Sequence, residues 1–218
     1  MGNKNVNTMD CYLCATDTID WKEPSVFALA KKIAKQCTEQ LAVQQANELP
    51  LISTDAAVAK GCFEWVRDNI QHSWDYKQNP VTCQASSVLA HKTGYCYSKS
   101  HLLAALLRAN NIPAGFCYQR LSLEGGGAPY CLHGLNAVYL QSYGWYRIDP
   151  RGNKEGVDAQ FTPPAEQLAF PIDEYLEADL PEIWSEPLPI VIDALNAYDD
   201  IEALYDNLPD VEVIKTTQ

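Results

Sequence analysis

The sequence predicts an α+β fold in which helices come first and an antiparallel sheet follows. Up to about residue 111 the apolar residues recur at helical spacing, and beyond it they follow the shorter period of strands. Helices and strands thus occur in succession rather than in alternation, which favours α+β over a parallel α/β arrangement. With 218 residues, of which 47% are hydrophobic, the chain can bury one sizeable core. We therefore expect a single domain over residues 1–218.

Four helices are predicted in the first half of the chain, and most have a recognisable start or stop signal. The predicted segments run from Pro24 to "ANELPL", from Ser53 to Trp74 before the helix-breaking "QNP", through "ASSVLAH", and from about Cys96 to Asn111. In the fourth segment the leucines at 102, 103, 106 and 107 form one broad apolar face. This helix should therefore lie in the core.

The second half of the chain predicts a sheet and then an acidic extension. "AGFCYQRLSL", "LNAVYL" and "WYRID" read as strands, separated by the glycine-rich loop "EGGGAP" and by a turn signal at 142–144. The extension, about residues 166–218, is rich in proline and acid and contains one predicted helix in "IVIDALNAYDDIEALYDNL". It would favour cationic substrates if it bordered a functional site.

Composition argues against nucleic acids and membranes as partners. The net charge is −12, and from Glu166 onward there are 14 acidic side chains against one basic residue, Lys215. Such a surface repels phosphate backbones. The sequence has no run of about 20 apolar residues that could span a bilayer, and "MGNKNVNTMD" lacks the apolar stretch of a secretory signal.

The eight cysteines indicate a reducing compartment rather than a disulfide framework. We therefore expect a cytoplasmic protein. "CYLC" at 11–14 has the spacing of half a zinc site, but the other cysteines supply no second pair of that spacing. A structural zinc protein is thus a weak alternative, and no metal or organic cofactor is expected.

One cysteine, Cys96, stands out because it follows Gly94 at the first turn of the fourth predicted helix. Cysteine attacks carbonyl groups as the thiolate, and a helix N-terminus or a nearby imidazolium favours that form. We expect Gly94 to supply an unusual backbone angle at the helix entry. A buried, packed thiol is the alternative interpretation of Cys96.

His133 and Asp149 are the partners that could activate this thiol. His133 begins a predicted strand, Asp149 ends the next, and Gln141, midway between them, adjoins the turn signal. Folding a hairpin there brings the two residues nearly opposite each other, within a residue or two of register. An aspartate beside a histidine fixes its tautomer and stabilises its charged form. A hydrogen-bonded strand histidine and a turn-forming aspartate remain the structural alternatives.

Three segments resemble, in order, motifs of the transglutaminase-like superfamily. "GYCYSKSHLLAALLRANNIPAG" is similar to the cysteine motif, "HGLNAVYLQSYGWYRIDP" to the histidine and aspartate motif, and "FEWVRDNIQHSWDY" to the helix that precedes them. Together they cover about residues 60–151. The resemblance implies a papain-like core, with the cysteine helix packed on an antiparallel sheet. It implies Cys96 as the nucleophile, His133 as general base and acid, and Asp149 as the group that orients the histidine.

The resemblance also implies the chemistry: a cysteine-dependent amide hydrolase or acyl transferase that forms a thioester on a peptide or protein amide. The chain has no room for the extra domains of animal transglutaminases, and the short bacterial members that it resembles favour hydrolysis, as in a cysteine protease. The backbone N–H of Cys96 is one natural oxyanion donor, and Gln84, Trp74 or Tyr76 could supply a second. A non-catalytic protein-binding module that retained the fold is the alternative, and the sequence leaves the oligomeric state open.

Overall fold

The computed structural model describes residues 9–47 and 52–212 and confirms the α+β arrangement. Two sequence predictions lie outside the described residues. One is the lack of a secretory signal in the first eight residues, and the other is the end of the first helix around 48–51. After a short 3-10 helix at Asp10–Leu13, the helices are α1 (Pro24–Ala46), α2 (Thr54–Asn69), α3 (Ser73–Tyr76), α4 (Ala85–His91), α5 (Cys96–Ala109), α6 (Pro189–Ala197) and α7 (Ile201–Tyr205). Among the described helices none is both long and apolar enough to cross a membrane.

The main sheet has four strands, and all its pairings are antiparallel. The strands are β1 (Gln71–His72), β2 (Thr93–Gly94), β3 (Ala114–Ser122), β4 (Tyr130–Leu140), β5 (Gly144–Ile148), β6 (Gln160–Thr162), β7 (Ala165–Gln167) and β8 (Ala178–Asp179). The main sheet has the order β5-β4-β3-β8, while β1 with β2 and β6 with β7 form two small separate pairs. The acidic extension thus adds its own strand, β8, to the edge of the main sheet.

Helix α5 is the centre of the core, as its leucine pattern predicted. All 14 of its residues are buried. It packs on β3 and β4 on one side and on α1, α2 and α4 on the other. A helix that is buried on every side cannot shift without disturbing both layers. The position of its first residue, Cys96, is therefore set by the whole core.

Arg108, in the last turn of α5, ties the helix to three other parts of the chain. Its guanidinium donates hydrogen bonds to the carbonyls of Ala114, at 2.8 and 3.2 Å, of Cys14, at 2.8 Å, and of Ser185. The side chain is buried, and this burial lowers the pKa of Arg108 to about 10. Arg108 thereby connects the N-terminal segment, the start of β3 and the acidic extension.

We expect Arg108→Met to lower the free energy of unfolding by about 2–5 kcal/mol, because it leaves buried carbonyls without donors. Urea denaturation measures this change. Arg108→Lys, which keeps the charge but replaces the planar fork by one ammonium group, should recover only part of the loss. A loss below about 1 kcal/mol for Arg108→Met would show that these contacts are dispensable.

Two predicted helices differ from the structure. The second helix was expected to continue to Trp74, but it ends at Asn69, and Ile70 has extended backbone angles, φ −111° and ψ 116°. Residues 71–72 instead form β1, which pairs in parallel with β2 at Thr93–Gly94. The single helix predicted in the extension is interrupted before residue 201 and forms α6 and α7. The first difference matters for function, since it sets His72 beside Gly94.

The β4–β5 hairpin has nearly the predicted register. Leu140 pairs with Gly144, and Asn136 pairs with Ile148. If the β4–β5 register continues past Asn136 and Ile148, Asp149 lies opposite position 135, two residues from His133. This agrees with the predicted offset of one or two residues. The hairpin therefore brings the imidazole and the carboxylate to the same end of the sheet, where α5 begins.

Candidate active site

Cys96 is the first residue of α5 and follows the N-cap residue Tyr95, whose backbone is extended. Its backbone N–H has no acceptor inside the helix and is available to a ligand. A helix N-terminus carries a partial positive charge that interacts favourably with negatively charged groups. Cys96 is buried but borders a cleft of about 320 Å³. A substrate atom that enters the cleft can therefore reach it.

The prediction that Gly94 supplies an unusual backbone angle at the helix entry was wrong. Gly94 lies in β2 and is not among the residues with positive φ. A Cβ atom at this position would instead lie 3.1 Å from the Cβ of Ser98 and 3.4 Å from Thr82 and Val88. The glycine is needed because the strand passes close to the first turn of α5.

His133 and Asp149 form a buried ion pair. The Nε2 atom of His133 lies 2.7 Å from Oδ2 of Asp149. Asp149 also accepts hydrogen bonds from the backbone N–H of Arg151, at 3.0 Å, and of Ala169, at 3.2 Å. Cys96 lies close enough to the imidazole to raise the pKa of His133, both side chains line the same cleft, and Nδ1 is the ring nitrogen that Asp149 does not contact. The structure thus brings the three predicted residues together in the order thiol, imidazole, carboxylate.

The charges of this group favour an ionised histidine. Burial alone would lower the pKa of His133, but the Asp149 carboxylate and Cys96 raise that pKa to about 10. Burial would raise the pKa of Asp149, yet the His133 charge and the hydrogen bonds from Arg151 and Ala169 lower it below its usual value. His133 is therefore an imidazolium at neutral pH and can serve as the counter-ion of a thiolate.

The predicted oxyanion donors occupy different places. Trp74 lines the cleft, and its ring stacks on Tyr205 with centroids 3.6 Å apart. Gln84 is exposed at the N-cap of α4, outside the cleft lining. Tyr76 is 59% exposed and also lies outside this lining. Of the three side chains, Trp74 alone borders the cleft.

The acidic extension helps to build the site, a role that its composition did not predict. The N–H of Ala169 bonds Asp149, and the ring of Phe170 meets the His133 ring edge-on at 5.0 Å. Glu177 and Tyr205 also line the cleft. The two Glu177 oxygens accept backbone N–H groups of Ser122 and Asp173. This acid therefore holds two loops together.

Sequence reasoning missed three cleft residues: His72, Arg151 and Lys154. His72 lies near the end of the helix predicted to run to Trp74, so nothing in the sequence placed it in a cleft. Burial, together with the charges of Arg151 and Lys99, lowers the pKa of His72 well below its usual value. Arg151 and Lys154 follow Asp149-Pro150 in "DPRGNK". Their nearness to Asp149 in the sequence was the signal that could have found them.

A metal site has little support in the structure. Within residues 9–47 and 52–212, no group of three or more His, Cys, Asp or Glu side chains is arranged to hold a metal ion. Cys62, Cys83, Cys117 and Cys131 are buried free thiols, and burial raises the pKa of each. Such thiols are poor nucleophiles and poor metal ligands.

The model of the transglutaminase-like superfamily matches residues 39–150, just over half of the chain. The chain belongs to the transglutaminase-like superfamily. This membership confirms the resemblance of the three motifs. The match ends at Pro150, so Cys96, His133 and Asp149 lie inside it, whereas Arg151, Lys154 and the acidic extension of this transglutaminase-like protein lie outside.

Solved structures that are similar to part of this chain include a "putative cysteine protease" from Cytophaga hutchinsonii, with 18% identity over 63% of this chain and a TM-score of 0.38. The periplasmic domain of TgpA from Pseudomonas aeruginosa has 19% identity over 66% of this chain and a TM-score of 0.43. The alignments cover 43% and 48% of those chains, so this transglutaminase-like chain spans less than half of each. No curated protein sequence matches the chain.

Proposed function

We propose that this protein is a cysteine-dependent enzyme that cleaves a peptide or protein amide through a thioester on Cys96. The observation that carries the proposal is the position of His133, which lines the cleft together with Cys96 and lies 2.7 Å from Asp149. A packed structural cysteine would need neither a charged histidine nor a cleft at its side. The family supports cysteine chemistry in general, and the residue roles are our proposal.

The first half of the reaction forms the thioester. The Cys96 thiolate attacks the amide carbonyl carbon, and the carbonyl oxygen becomes an oxyanion. The backbone N–H of Cys96 is placed to stabilise this charge, and Trp74 is the side-chain candidate that borders the cleft. The His133 imidazolium then gives its proton to the amide nitrogen. The C–N bond breaks and the amine leaves.

The second half returns the enzyme to its starting state. The neutral His133 takes a proton from a water molecule, whose oxygen attacks the thioester carbonyl. The C–S bond breaks, a carboxylic acid leaves, and the Cys96 thiolate is restored beside the imidazolium. Capture of the thioester by an amine would use the same groups, and we propose hydrolysis as the main outcome. Asp149 orients the imidazole and stabilises its charge throughout.

We expect Cys96 to be the first cysteine alkylated by a trace of iodoacetamide at pH 6, because an ordinary thiol, with a pKa near 8.5, is scarcely ionised there. His133→Ala should slow this labelling by about 100-fold or more, since the thiolate loses its counter-ion. Labelled peptides are quantified by mass spectrometry, and the exposed Cys14 is the internal reference.

The matched control is His91→Ala, which removes an exposed histidine on α4 outside the cleft and should leave the labelling unchanged. If Cys96 labels no faster than Cys14, or if His133→Ala changes nothing, the enzyme proposal fails. The non-catalytic binding module would then be the better interpretation.

A further inference from the structure

One part of the cleft lining is rich in cations. Arg151 and Lys154 line the cleft together with Cys96. The same two residues, with His72 and Asp75, also line a neighbouring cavity of about 420 Å³. Lys99 and Arg67 form other parts of the lining of that cavity. The two spaces therefore share one wall. In a chain with a net charge of −12, this concentration of cations beside the candidate nucleophile calls for a physical reason.

The ion pairs in this wall do not balance. The Asp75 carboxylate meets both Arg151, at 2.8 and 3.0 Å, and Lys154, at 2.7 Å. One anion thus faces two cations. Burial and the charge of Arg151 lower the pKa of Lys99 to about 7, so Lys99 adds only a fraction of a charge. Arg67 in the neighbouring cavity is paired with Asp68. Within the wall formed by Asp75, Arg151 and Lys154, the cations therefore outnumber the anion by one.

The wall also has hydrogen-bonding atoms to spare. Nη1 of Arg151 is in ion-pair contact with Asp75, yet it has no hydrogen-bond partner within the described part of the chain. Nδ1 of His72 likewise has none there and lies 3.7 Å from Asp75. The side chains of both residues are more than nine-tenths buried. Buried polar atoms of this kind are normally paired, so the hydrogen-bonding groups of this wall are incompletely satisfied by the protein.

A carboxylate fits this combination better than other groups. It carries one negative charge, which matches the extra cation of this wall, and its oxygens can accept hydrogen bonds from the Lys154 ammonium group. The Phe170 ring lies 5.4 Å from the Arg151 guanidinium carbon and helps to fix its plane. Lys154, whose side chain is 47% exposed, can turn toward a bound ligand.

We propose that Arg151 and Lys154 form a carboxylate-binding subsite next to Cys96, so that the substrate carries a carboxylate close to the amide that is cleaved. This inference rests on the proposed function and names the substrate class for the same site. It differs from the expectation that the acidic extension would select cationic substrates, because the extension's acid in the cleft, Glu177, is already bonded to the backbone.

The test compares iodoacetate with iodoacetamide, two reagents of nearly equal size that differ by one negative charge. Rate constants are measured at Cys96 and at Cys14 in the same sample, at low salt and at high salt. The ratio of the iodoacetate rate to the iodoacetamide rate should be higher at Cys96 than at Cys14. It should fall about three- to tenfold in Lys154→Gln, and high salt should reduce the difference.

The matched control is Lys32→Gln, which removes an exposed lysine from α1, outside the cleft, and should leave the ratio unchanged. Lys154→Glu should lower the ratio further, and its partly exposed position makes a folded variant the expected result. Arg151→Gln gives a second, independent estimate of the charge effect if circular dichroism shows that it is folded.

The outcomes separate the two proposals. In one outcome, Cys96 reacts rapidly with iodoacetamide while the ratio of the iodoacetate rate to the iodoacetamide rate is the same in the wild type, Lys154→Gln and Lys32→Gln. That result would overturn the carboxylate subsite and would still support Cys96 as the nucleophile. If Cys96 reacts with neither reagent faster than Cys14, the proposed function fails and the substrate class fails with it. A ratio that depends on Lys154 and not on Lys32 supports the subsite.

Discussion

We expect Asp149→Asn to reduce the rate of Cys96 alkylation at pH 6 by about 10²- to 10⁴-fold. The change is nearly isosteric, but Arg151 and Ala169 donate to different oxygens of Asp149, so only one of these backbone N–H groups keeps an oxygen acceptor. The carboxylate charge disappears, however, and burial then lowers the pKa of His133 against the opposing effect of Cys96 alone. A neutral imidazole cannot stabilise a thiolate, and an asparagine amide can also hold the ring in the wrong tautomer.

The same substitution should change the pH dependence of stability. In the wild type the pKa of His133 is raised to about 10, against about 6.5 in an unfolded chain. The folded state therefore holds a proton that the unfolded state has lost between these two values. The stabilisation is fully present below about pH 6.5 and declines as the pH rises toward 10. The difference in free energy of unfolding between the wild type and Asp149→Asn should narrow over that range.

Urea denaturation at several pH values measures this difference, and mass spectrometry measures the labelling in the same preparations. Asp193→Asn, at an exposed position of α6, is the matched control and should affect neither quantity. If Asp149→Asn is labelled at the wild-type rate, Asp149 does not support the charge of His133. The proposed roles of these two residues would then be wrong.

Local patterns in the sequence were enough to predict the parts of the fold that bring Cys96, His133 and Asp149 together. The leucine periodicity predicted a buried helix that begins at Cys96, and α5 is that helix. The position of one turn signal predicted how far His133 lies from opposition to Asp149, and the register of β4 and β5 agrees. Both features depend on residues close together in the sequence, and hydrophobic periodicity and turn chemistry report such features well.

The rest of the cleft depends on contacts between distant parts of the chain. The pairing of β1 with β2 joins Gln71 to Thr93 and interrupts what reads as a continuous helix, because tertiary pairing outweighs local propensity there. The hydrogen bond from Ala169 to Asp149 and the stacking of Tyr205 on Trp74 also come from the acidic extension. The composition of the acidic extension did not predict either contact.

Gly134→Val should both destabilise the protein and disturb the candidate active site, because Gly134 sets the distance between β4 and α5. A Cβ atom at this position would lie 2.8 Å from Cδ1 of Tyr97 and 3.3 Å from its Cα. The Tyr97 ring cannot move away easily, since it is buried and its hydroxyl donates a hydrogen bond to the carbonyl of Leu132. The strand must therefore move away from the helix.

We expect Gly134→Ala to lower the free energy of unfolding by about 1–3 kcal/mol, the usual range for overpacking, and Gly134→Val to lower it further. His133 directly precedes Gly134, and Cys96 directly precedes Tyr97. Moving the strand away from the helix should therefore lengthen the distance between the Cys96 thiol and the His133 imidazole. Cys96 alkylation at pH 6 should then slow by about tenfold or more. Urea denaturation and mass spectrometry on the same samples give the two quantities.

A double-mutant cycle with Tyr97→Ala tests the cause. Removing the ring carbon that the new Cβ would meet should make Gly134→Ala less costly than it is in the wild type, with an interaction energy of about 1 kcal/mol. Stability alone could fall for many reasons, whereas a coupled loss of stability and thiol reactivity identifies the spacing of helix and strand. If Gly134→Ala destabilises the fold but leaves Cys96 labelling unchanged, the geometry of the site does not depend on this contact.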